Sequence, residues 1–254
     1  MNYKEKKLDI KKIKYKNWKI YSPKENIELG KLILDKKYKI IKVLKDTKRN
    51  YVAIILIENK KYILKGFGSE TIIPQRKIQT ILKKGEALTT LENGLKAIEE
   101  GITELVKPLT VIMRKNIFIK ESFLIMEYVE GRNLESEEDI DKVIKITKKI
   151  HKLNRYHGDL NTSNFLIAEN EIKILDTQMK REKLLFFKRS YDILTLKEDL
   201  LVRKLNYPVE ERYEEIYKDL GYFMAKLMKN IKNLKFIKMI KKKKKKLREK
   251  GWKI

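Results

Sequence analysis

The chain has 254 residues, 42% of them hydrophobic, which suffices for one large domain or two lobes with a packed core. It contains 61 lysines and arginines against 35 acidic residues, and no cysteine. The composition therefore excludes disulfides, thiolate nucleophiles and cysteine-ligated zinc. The formal charge of +26 favours polyanionic partners such as nucleic acid, anionic lipid or phosphorylated substrates.

No segment predicts a signal peptide or a membrane span. The N-terminus, MNYKEKKLDIKK, has no apolar stretch behind its charges. The longest apolar run, Val52 to Ile57, is far shorter than the ~20 residues that cross a bilayer as a helix. We therefore expect a cytoplasmic protein.

The first half of the chain predicts an antiparallel sheet and one long helix. The segments YKIIKVLK, YVAIILIE and KYILKGF, separated by short polar stretches, predict a three-stranded meander. Pro74 opens a helical pattern that runs to an exit near Gly94. Two further strand patterns, PLTVIMRK and SFLIMEYV, close this half at Gly131.

The second half predicts mainly helices. In SEEDIDKVIKITKKIHKL, Ser136 is placed to cap a helix whose first turn is acidic and whose last turn is basic. The loop HGDLNTSNFL follows, then a hairpin around AENE, then helices from about Lys180. From Leu234 onward, apolar residues alternate with many lysines, which is typical of a basic amphipathic segment.

Asp159, Asn164 and Asp176 lie at the ends of a predicted helix and two short predicted strands, where side chains can converge. Oxygen ligands of this kind suit Mg²⁺, which also binds the phosphate oxygens of nucleotides. Asp159 would then accept the proton of an attacking hydroxyl. Lys65, at the end of the third strand, is the candidate cation for the remaining phosphates, and Glu86 is its candidate anionic partner.

These residues resemble the motifs of the protein-kinase-like superfamily. HGDLNTSN matches the catalytic-loop pattern H-x-D-L-x-x-x-N, and ILD, ending at Asp176, stands where the metal-binding acid of D-F-G stands. YILK resembles the strand that carries the phosphate-binding lysine, and EALTTL resembles the helix that carries its ion-pair partner. FLIMEYVEG resembles the strand before the adenine-binding hinge, which implies adenine contacts by Glu127, Tyr128 and Val129.

Within that superfamily, FLIMEYVEG, GDLNTSNFLI and IKILDTQMKR resemble the lipopolysaccharide core heptose(II) kinase family. The resemblance implies transfer of the ATP γ-phosphoryl group to a heptose hydroxyl of the inner core, with ATP and Mg²⁺ as cofactors. It implies that Asp159 orients or deprotonates the hydroxyl and that Asn164 and Asp176 hold Mg²⁺. Lys65, positioned by Glu86, would neutralise the α and β phosphates.

The resemblance also implies an α+β, protein-kinase-like bilobal fold. The N-lobe would hold an antiparallel sheet with one long helix, and the C-lobe would be mainly helical. The predicted boundaries are an N-terminal extension at 1–29, the N-lobe at 30–130, the C-lobe at 131–233 and a basic amphipathic tail at 234–254. Lys65 of the smaller lobe would meet the three oxygen ligands of the larger lobe across a cleft.

Three departures from the kinase pattern bear on how phosphate is bound and on which acceptor is used. DTKRN replaces a glycine-rich loop, so phosphate coverage would fall to backbone amides helped by Lys48 or Arg49. Asn161 stands where Ser/Thr protein kinases carry a lysine. The segment from Asp176 to Asp192, taken as the start of the next helix, is short and lacks A-P-E, which favours a small-molecule or glycolipid acceptor over a peptide.

The expected partners are a lipopolysaccharide core glycolipid or related phosphorylated sugar and, through the tail, the anionic inner face of the cytoplasmic membrane. Phe236, Ile240 and Trp252 are the candidate apolar anchors of that tail. Two alternatives remain: the small kinase-like protein of tRNA threonylcarbamoyl modification, and a basic nucleic-acid-binding pseudokinase. Nucleic acid is not the expected partner, because the full set of catalytic residue types is present. His151 and His157 are predicted to be structural.

Overall fold

The computed structural model of the chain describes residues 8–183, 187–214 and 219–234, together with Met239 and Lys243. It divides into two compact units. One takes in residues 8–99 and Val106–Tyr128, and the other takes in Glu100–Leu105 and the described residues from Val129 to Leu234. Most of the predicted tail, including its three candidate anchors, lies outside the described residues.

The first unit is built on a seven-stranded sheet in which all neighbouring strands are antiparallel, in the order β1-β2-β6-β7-β5-β4-β3. The meander predicted from sequence is β3-β4-β5, and the predicted later pair is β6-β7. The N-terminal segment adds the hairpin β1-β2 to the same sheet. The strands are β1 (Lys11–Tyr15), β2 (Trp18–Ser22), β3 (Lys39–Asp46), β4 (Tyr51–Ile57), β5 (Lys60–Gly66), β6 (Pro108–Lys115) and β7 (Ile119–Glu127).

Four helices accompany this sheet: α1 (Ile27–Leu34), α2 (Ser69–Ile72), α3 (Pro74–Leu82) and α4 (Glu86–Glu99). The helical pattern that begins at Pro74 is divided into α3 and α4: the backbone is extended at Lys83, where α3 ends, and Gly85 adopts a φ of +91° that a helix does not accommodate. Gly94, placed near the exit by its sequence, lies buried inside α4.

One face of the sheet is covered by α1. Leu29 and Ile33 of that helix join a core cluster that includes Leu64 of β5 and Ile125 of β7. Because successive strand residues point to opposite faces, Lys65 and its cross-strand neighbour Leu124 point to the other face. The sheet therefore directs the predicted phosphate-binding lysine away from the α1 core.

The second unit is mainly helical and contains two short strand pairs, β8-β11 and β9-β10. Ser136 caps α5 in a capping box with Asp139, as its sequence predicts. The predicted hairpin is β9-β10, turned by Glu169 and Asn170, both at positive φ. The elements are α5 (Glu137–Lys152), β8 (Arg155–Tyr156), β9 (Phe165–Ala168), β10 (Glu171–Ile174), β11 (Lys180–Arg181), α6 (Phe187–Lys197), α7 (Leu200–Lys204), α8 (Val209–Tyr213) and α9 (Leu220–Asn233).

The core of this second unit forms around α5. Apolar residues spaced three or four positions apart give that helix one buried face, along Ile140, Val143, Ile144, Ile146 and Ile150. None of the helices in the described part of the chain is long and apolar enough to cross a membrane.

Candidate active site

The loop predicted to carry the chemistry lies between β8 and β9. It turns at Gly158, whose φ of +92° favours glycine, and continues into a 3-10 turn at Thr162–Asn164. Asp159 is exposed, and its carboxylate accepts a hydrogen bond of 2.6 Å from the Asn161 amide. The predicted catalytic acid is therefore open to solvent while a neighbouring side chain fixes its orientation.

Hydrogen bonds hold this loop against the segment that carries Asp176. The side-chain amide of Asn164 donates to the Asp159 carbonyl oxygen at 2.7 Å, and the backbone N–H of Leu175 donates to the Asn164 carbonyl at 2.9 Å. The Thr177 hydroxyl donates to the His157 carbonyl at 2.8 Å. The structure thus brings the chain segments of all three predicted oxygen ligands side by side.

The donor set at this point fits Mg²⁺. It offers two exposed carboxylates, and the Asn164 amide keeps its oxygen for a cation because its nitrogen bonds the Asp159 carbonyl. Within the described ranges, no group of three or more histidine or acidic side chains is placed to hold a metal by itself. A site with few protein oxygens, completed by phosphate and water, is typical of Mg²⁺ bound with a nucleotide.

Asp192 anchors the catalytic loop from within α6. It is 1% exposed, and its carboxylate accepts the backbone N–H groups of His157 at 2.6 Å and Gly158 at 2.9 Å. Sequence reasoning missed this role and placed Asp192 at the start of a helix, whereas α6 begins at Phe187. One signal in the sequence could have indicated it: Asp192 lies among apolar residues of a helix. A charged group buried there must accept hydrogen bonds.

Asp199 provides a second anchor for the same loop. Its carboxylate accepts the backbone N–H of Thr162 at 3.1 Å and the Thr162 hydroxyl at 2.9 Å, while also capping α7. Two aspartates therefore hold the catalytic loop, each more than thirty residues after the loop residue whose backbone N–H it accepts.

Both histidines are buried, in agreement with their predicted structural roles. The His157 ring packs on Phe165 with ring centres 5.3 Å apart, and its Nδ1 lies 3.4 Å from the backbone N–H of Asp159. Burial lowers the pKa of His157, which favours the neutral ring. His151 contacts the Tyr213 hydroxyl through Nδ1 at 2.6 Å.

The segment after Asp176 is tied down by the buried side chain of Arg155. This arginine donates to Glu100 at 2.6 and 3.0 Å and to the Met179 carbonyl at 2.5 Å, and Arg181 donates to Glu100 as well. Burial alone would raise the pKa of Glu100, but hydrogen bonds and charge from the two arginines hold it below its ordinary value. Sequence reasoning missed this network too.

In the first unit, Lys65 is half-buried on β5, with its ammonium 5.4 Å from the centre of the Phe67 ring. Glu86 begins α4, and its carboxylate accepts hydrogen bonds from Arg76 at 3.1 Å and from the Ser69 hydroxyl at 3.3 Å. Arg76 was not expected as a partner of Glu86. The Lys65–Glu86 pair stays a prediction.

The two other acids near Glu86 in the sequence have separate contacts. Glu70 accepts the backbone N–H of Glu86 at 2.7 Å, where α4 begins, and burial raises the pKa of Glu70. Glu92 pairs with Lys84 at 2.8 Å. The structure therefore separates three acids that are hard to distinguish from sequence.

The residues predicted to contact adenine follow from the end of β7. Glu127 donates its backbone N–H to the Lys107 carbonyl at 3.0 Å, and the Lys61 ammonium lies 5.2 Å from the Tyr128 ring centre. Tyr128 and Val129 are half-buried. Contacts of these residues with adenine stay a prediction.

The loop that replaces a glycine-rich loop packs against the start of α2. The backbone N–H of Ser69 donates to the Arg49 carbonyl at 2.9 Å. A side chain at Gly68 would collide with the Lys48 carbonyl oxygen, so this approach requires glycine. The role of Lys48 or Arg49 at phosphate stays a prediction.

Comparison with known proteins gives one family match across nearly the whole chain. The family described as "Lipopolysaccharide core biosynthesis protein (WaaY)" matches residues 9–243. The "Lipopolysaccharide core heptose(II) kinase WaaY" of Escherichia coli K12 is 28% identical over 181 residues, covering 68% of this chain and 78% of that protein.

A relative of another kind matches a smaller part. A "Probable bifunctional tRNA threonylcarbamoyladenosine biosynthesis protein" of Methanobrevibacter smithii is 32% identical over 88 residues, covering 34% of this chain and 16% of that protein. Its similarity is therefore confined to about a third of the sequence.

Among solved structures, "WaaP in complex with acyl carrier protein" is similar in fold. The TM-score is 0.54 at 12% sequence identity, and the match covers 89% of this chain and 97% of that chain. The predicted α+β, protein-kinase-like fold is confirmed.

Proposed function

The chain belongs to the lipopolysaccharide core biosynthesis protein (WaaY) family, and on that premise we propose that it transfers the γ-phosphoryl group of ATP to a heptose hydroxyl of the lipopolysaccharide inner core. The observation that carries the proposal is the catalytic loop at 157–164, bonded to the segment of Asp176 inside the region matched by the family.

Asp159 orients the acceptor hydroxyl and accepts its proton. Phosphoryl transfer depends mostly on positioning, so the base must be held before the substrates arrive. The Asn161 amide holds the Asp159 carboxylate, and Asn164 holds the Asp159 carbonyl. Asp192 fixes the two residues that precede Asp159. These contacts support a preorganised general base in an exposed position.

Asn164 and Asp176 would hold Mg²⁺, which when bound neutralises charge on the phosphate oxygens. The chain fixes both ligands through its own hydrogen bonds. The amide of Asn164 is set by its bond to Asp159, and Asp176 lies between two residues, Leu175 and Thr177, that are each bonded to the catalytic loop. Hydrogen bonds within the second unit therefore hold the backbone on both sides of Asp176.

Lys65 neutralises the α and β phosphates of ATP, and Glu86 positions Lys65. Support comes from the sheet, which directs Lys65 to the face opposite the α1 core, and from the start of α4, where Arg76 and Ser69 hold Glu86. Backbone groups of Glu127, Tyr128 and Val129 bind adenine, and the loop of Lys48 and Arg49 lies over phosphate.

The acceptor is a phosphorylated glycolipid at the inner face of the cytoplasmic membrane. Exposed cations follow Asp176 at Lys180, Lys183 and Lys188, where they suit an anionic acceptor. The basic tail at 234–254 attaches the protein to anionic lipid, with about 1 kcal/mol of attraction per basic residue near the surface.

Two alternative functions have weaker support. One is separated from the heptose kinase by the length of its sequence similarity and the other by the residues of the site. The similarity to the tRNA-modification protein covers 34% of this chain, against residues 9–243 for the lipopolysaccharide core family. A nucleic-acid-binding pseudokinase has no need for an exposed acid held by buried anchors, as Asp159 is. The heptose kinase is therefore the function that the site supports best.

The test is incubation of the full-length protein with Mg-ATP and core glycolipids truncated after successive heptoses, followed by mass spectrometry. We expect one phosphate on a heptose, lost in Asp176→Asn and retained in Asp9→Asn, a control at an exposed aspartate far from the motifs. Absence of phosphate from every heptose acceptor, or undiminished transfer by Asp176→Asn, would contradict the proposal.

A further inference from the structure

Helix α9 exposes a continuous apolar surface, here called the α9 stripe. Seven apolar residues in the helix and at the position after it are between 39% and 62% exposed: Leu220, Phe223, Met224, Leu227, Met228, Ile231 and Leu234. Isolated exposed apolar residues are normal on a protein surface, but a contiguous row marks an interaction site.

The stripe cannot turn inward, because the other side of α9 is fixed to α6. Tyr222 and Ala225 are buried there against Leu194. Lys229 donates to the Leu194 carbonyl at 3.0 Å and to Glu198 at 2.8 Å. At 3.6 residues per turn, the apolar positions occupy about 140° of the helix circumference, away from this buried side.

Positive charge accompanies the stripe. Lys226 and Lys232 are exposed on α9. The sequence that follows, residues 235–254, contains ten lysines, one arginine and one glutamate, a formal charge of +10. An exposed apolar face bordered by lysines is the pattern of helices that lie in the interface of an anionic membrane.

We propose that the α9 stripe is a docking surface for an anionic lipid bilayer. A second copy of the chain would bring two segments of charge +10 together, and their repulsion disfavours such a dimer. A bilayer with anionic head groups presents negative charge and an apolar phase at one surface, which matches both features of α9. All residues of the α9 stripe except Leu234 belong to α9 and precede the predicted tail.

Docking through α9 would hold the catalytic unit at the membrane. Helix α6 packs against α9 and also carries Asp192, the buried anchor of the catalytic loop. This role rests on the proposed function. It places Asp159, the acid that acts on a glycolipid, in the same unit as the helix that contacts lipid.

The test is flotation of the full-length protein with vesicles of phosphatidylethanolamine containing phosphatidylglycerol, at low and high salt. High salt screens the attraction of the lysines, so apolar contact dominates there. We expect the double variant Leu227→Gln/Ile231→Gln to lower vesicle binding about tenfold at high salt. Leu200→Gln, at a leucine of α7 that is 84% exposed, is the matched control and should bind like wild type.

A variant with Lys241 to Lys246 changed to glutamine separates the two modes of attachment. It should lose the additional binding that wild type gains at low salt but keep the salt-resistant binding of wild type. The proposal is overturned if the α9 double variant binds like wild type at high salt. It is also overturned if sedimentation shows a wild-type dimer that the double variant dissociates, because the stripe would then join two copies.

Failure of this inference is distinguishable from failure of the proposed function. Phosphorylation of a delipidated core oligosaccharide should be unchanged in Leu227→Gln/Ile231→Gln, since that acceptor needs no membrane. If wild type phosphorylates no heptose, the kinase assignment is overturned. If the double variant still loses vesicle binding in that case, the docking surface stands. Reduced activity of the double variant on the soluble acceptor would count against a separate docking role.

Discussion

The catalytic loop of the second unit and the Glu86 cluster of the first are held in different ways. Asp192, 1% exposed, binds two backbone N–H groups of the loop. Glu86 is instead held by Arg76, whose side chain is 48% exposed. Buried charge-assisted hydrogen bonds are strong and fix the positions of the groups they join. Exposed ion pairs contribute at most about 1 kcal/mol to the free energy of unfolding.

The buried contacts lie in the part of the site that is assigned to the acceptor. The loop that carries Asp159 is held by a buried carboxylate before substrate binds, while the charged partner of Glu86, assigned to position the phosphate-binding lysine, is an exposed guanidinium. Substitutions of the buried residues that hold the catalytic loop should therefore lower both the free energy of unfolding and kcat. Substitutions in the exposed Arg76–Glu86 pair should change KM for ATP with little effect on stability.

Asp192→Asn should have the largest effect. It removes a buried negative charge that accepts two N–H groups and directs an amide N–H toward one of them. We expect the free energy of unfolding to fall by about 3 kcal/mol, as measured by urea denaturation, with a parallel loss of kcat. Asp219→Asn, at the N-cap of α9, is the control and should change stability little because asparagine also caps helices. A loss below 1 kcal/mol in Asp192→Asn would contradict the role of Asp192 as a buried anchor of the catalytic loop.

Acid should weaken the second unit through Asp139. Its hydrogen bond with Arg132 lowers the pKa of this buried carboxyl to about 2. Because the folded pKa lies below the unfolded value, the contribution is present above about pH 4 and is lost as the pH falls toward 2. Asp139→Asn should lower the free energy of unfolding by about 1–2 kcal/mol at pH 7, and the difference should shrink below pH 4. A difference that is independent of pH would contradict this assignment.

Thr177→Val should have an intermediate effect. The change keeps the shape of the buried side chain but leaves the His157 carbonyl and the Met179 N–H without their hydroxyl partner. We expect a loss of about 1–2 kcal/mol in urea denaturation and a lower kcat, since the segment of Asp176 loosens. Thr195→Val, which removes a hydroxyl bonded within α6, should change neither quantity by a comparable amount.

Arg76→Met should have the smallest effect on stability, below about 1 kcal/mol. The change removes the Arg76 guanidinium that holds the Glu86 carboxylate. Because Glu86 is assigned to position the phosphate-binding Lys65, we expect KM for ATP to rise several-fold while kcat changes little. Arg114→Met removes an exposed ion pair with Glu121 in the same unit and should leave KM unchanged. Equal KM values in the two variants would show that Arg76 has no role in ATP binding.

Local patterns predicted the elements that local forces determine. The meander, the capped helix α5 and the hairpin β9-β10 follow from alternation, capping and turn residues within short windows. The anchors could not be predicted in this way. Asp192 bonds His157 across 35 residues and Arg155 bonds Glu100 across 55, and nothing in the sequence near either residue specifies its partner.

The helix after Pro74 shows the same limit at shorter range. Its apolar spacing continues past Leu82, but the extended backbone at Lys83 and the left-handed backbone at Gly85 divide the pattern into α3 and α4. The division places Glu86 at the first turn of a helix, beside Arg76 from the helix before it. The ion pair therefore depends on a break that apolar periodicity does not reveal.

The most direct test of the account is kcat of Asp159→Asn with Mg-ATP and the heptose acceptor that wild type phosphorylates. Because Asp159 is exposed and acts as the proton acceptor, we predict a fall in kcat of about 10²–10⁴-fold, with KM for ATP and the unfolding midpoint near wild type. A variant that keeps kcat within tenfold of wild type would contradict the assignment of Asp159 as the catalytic base.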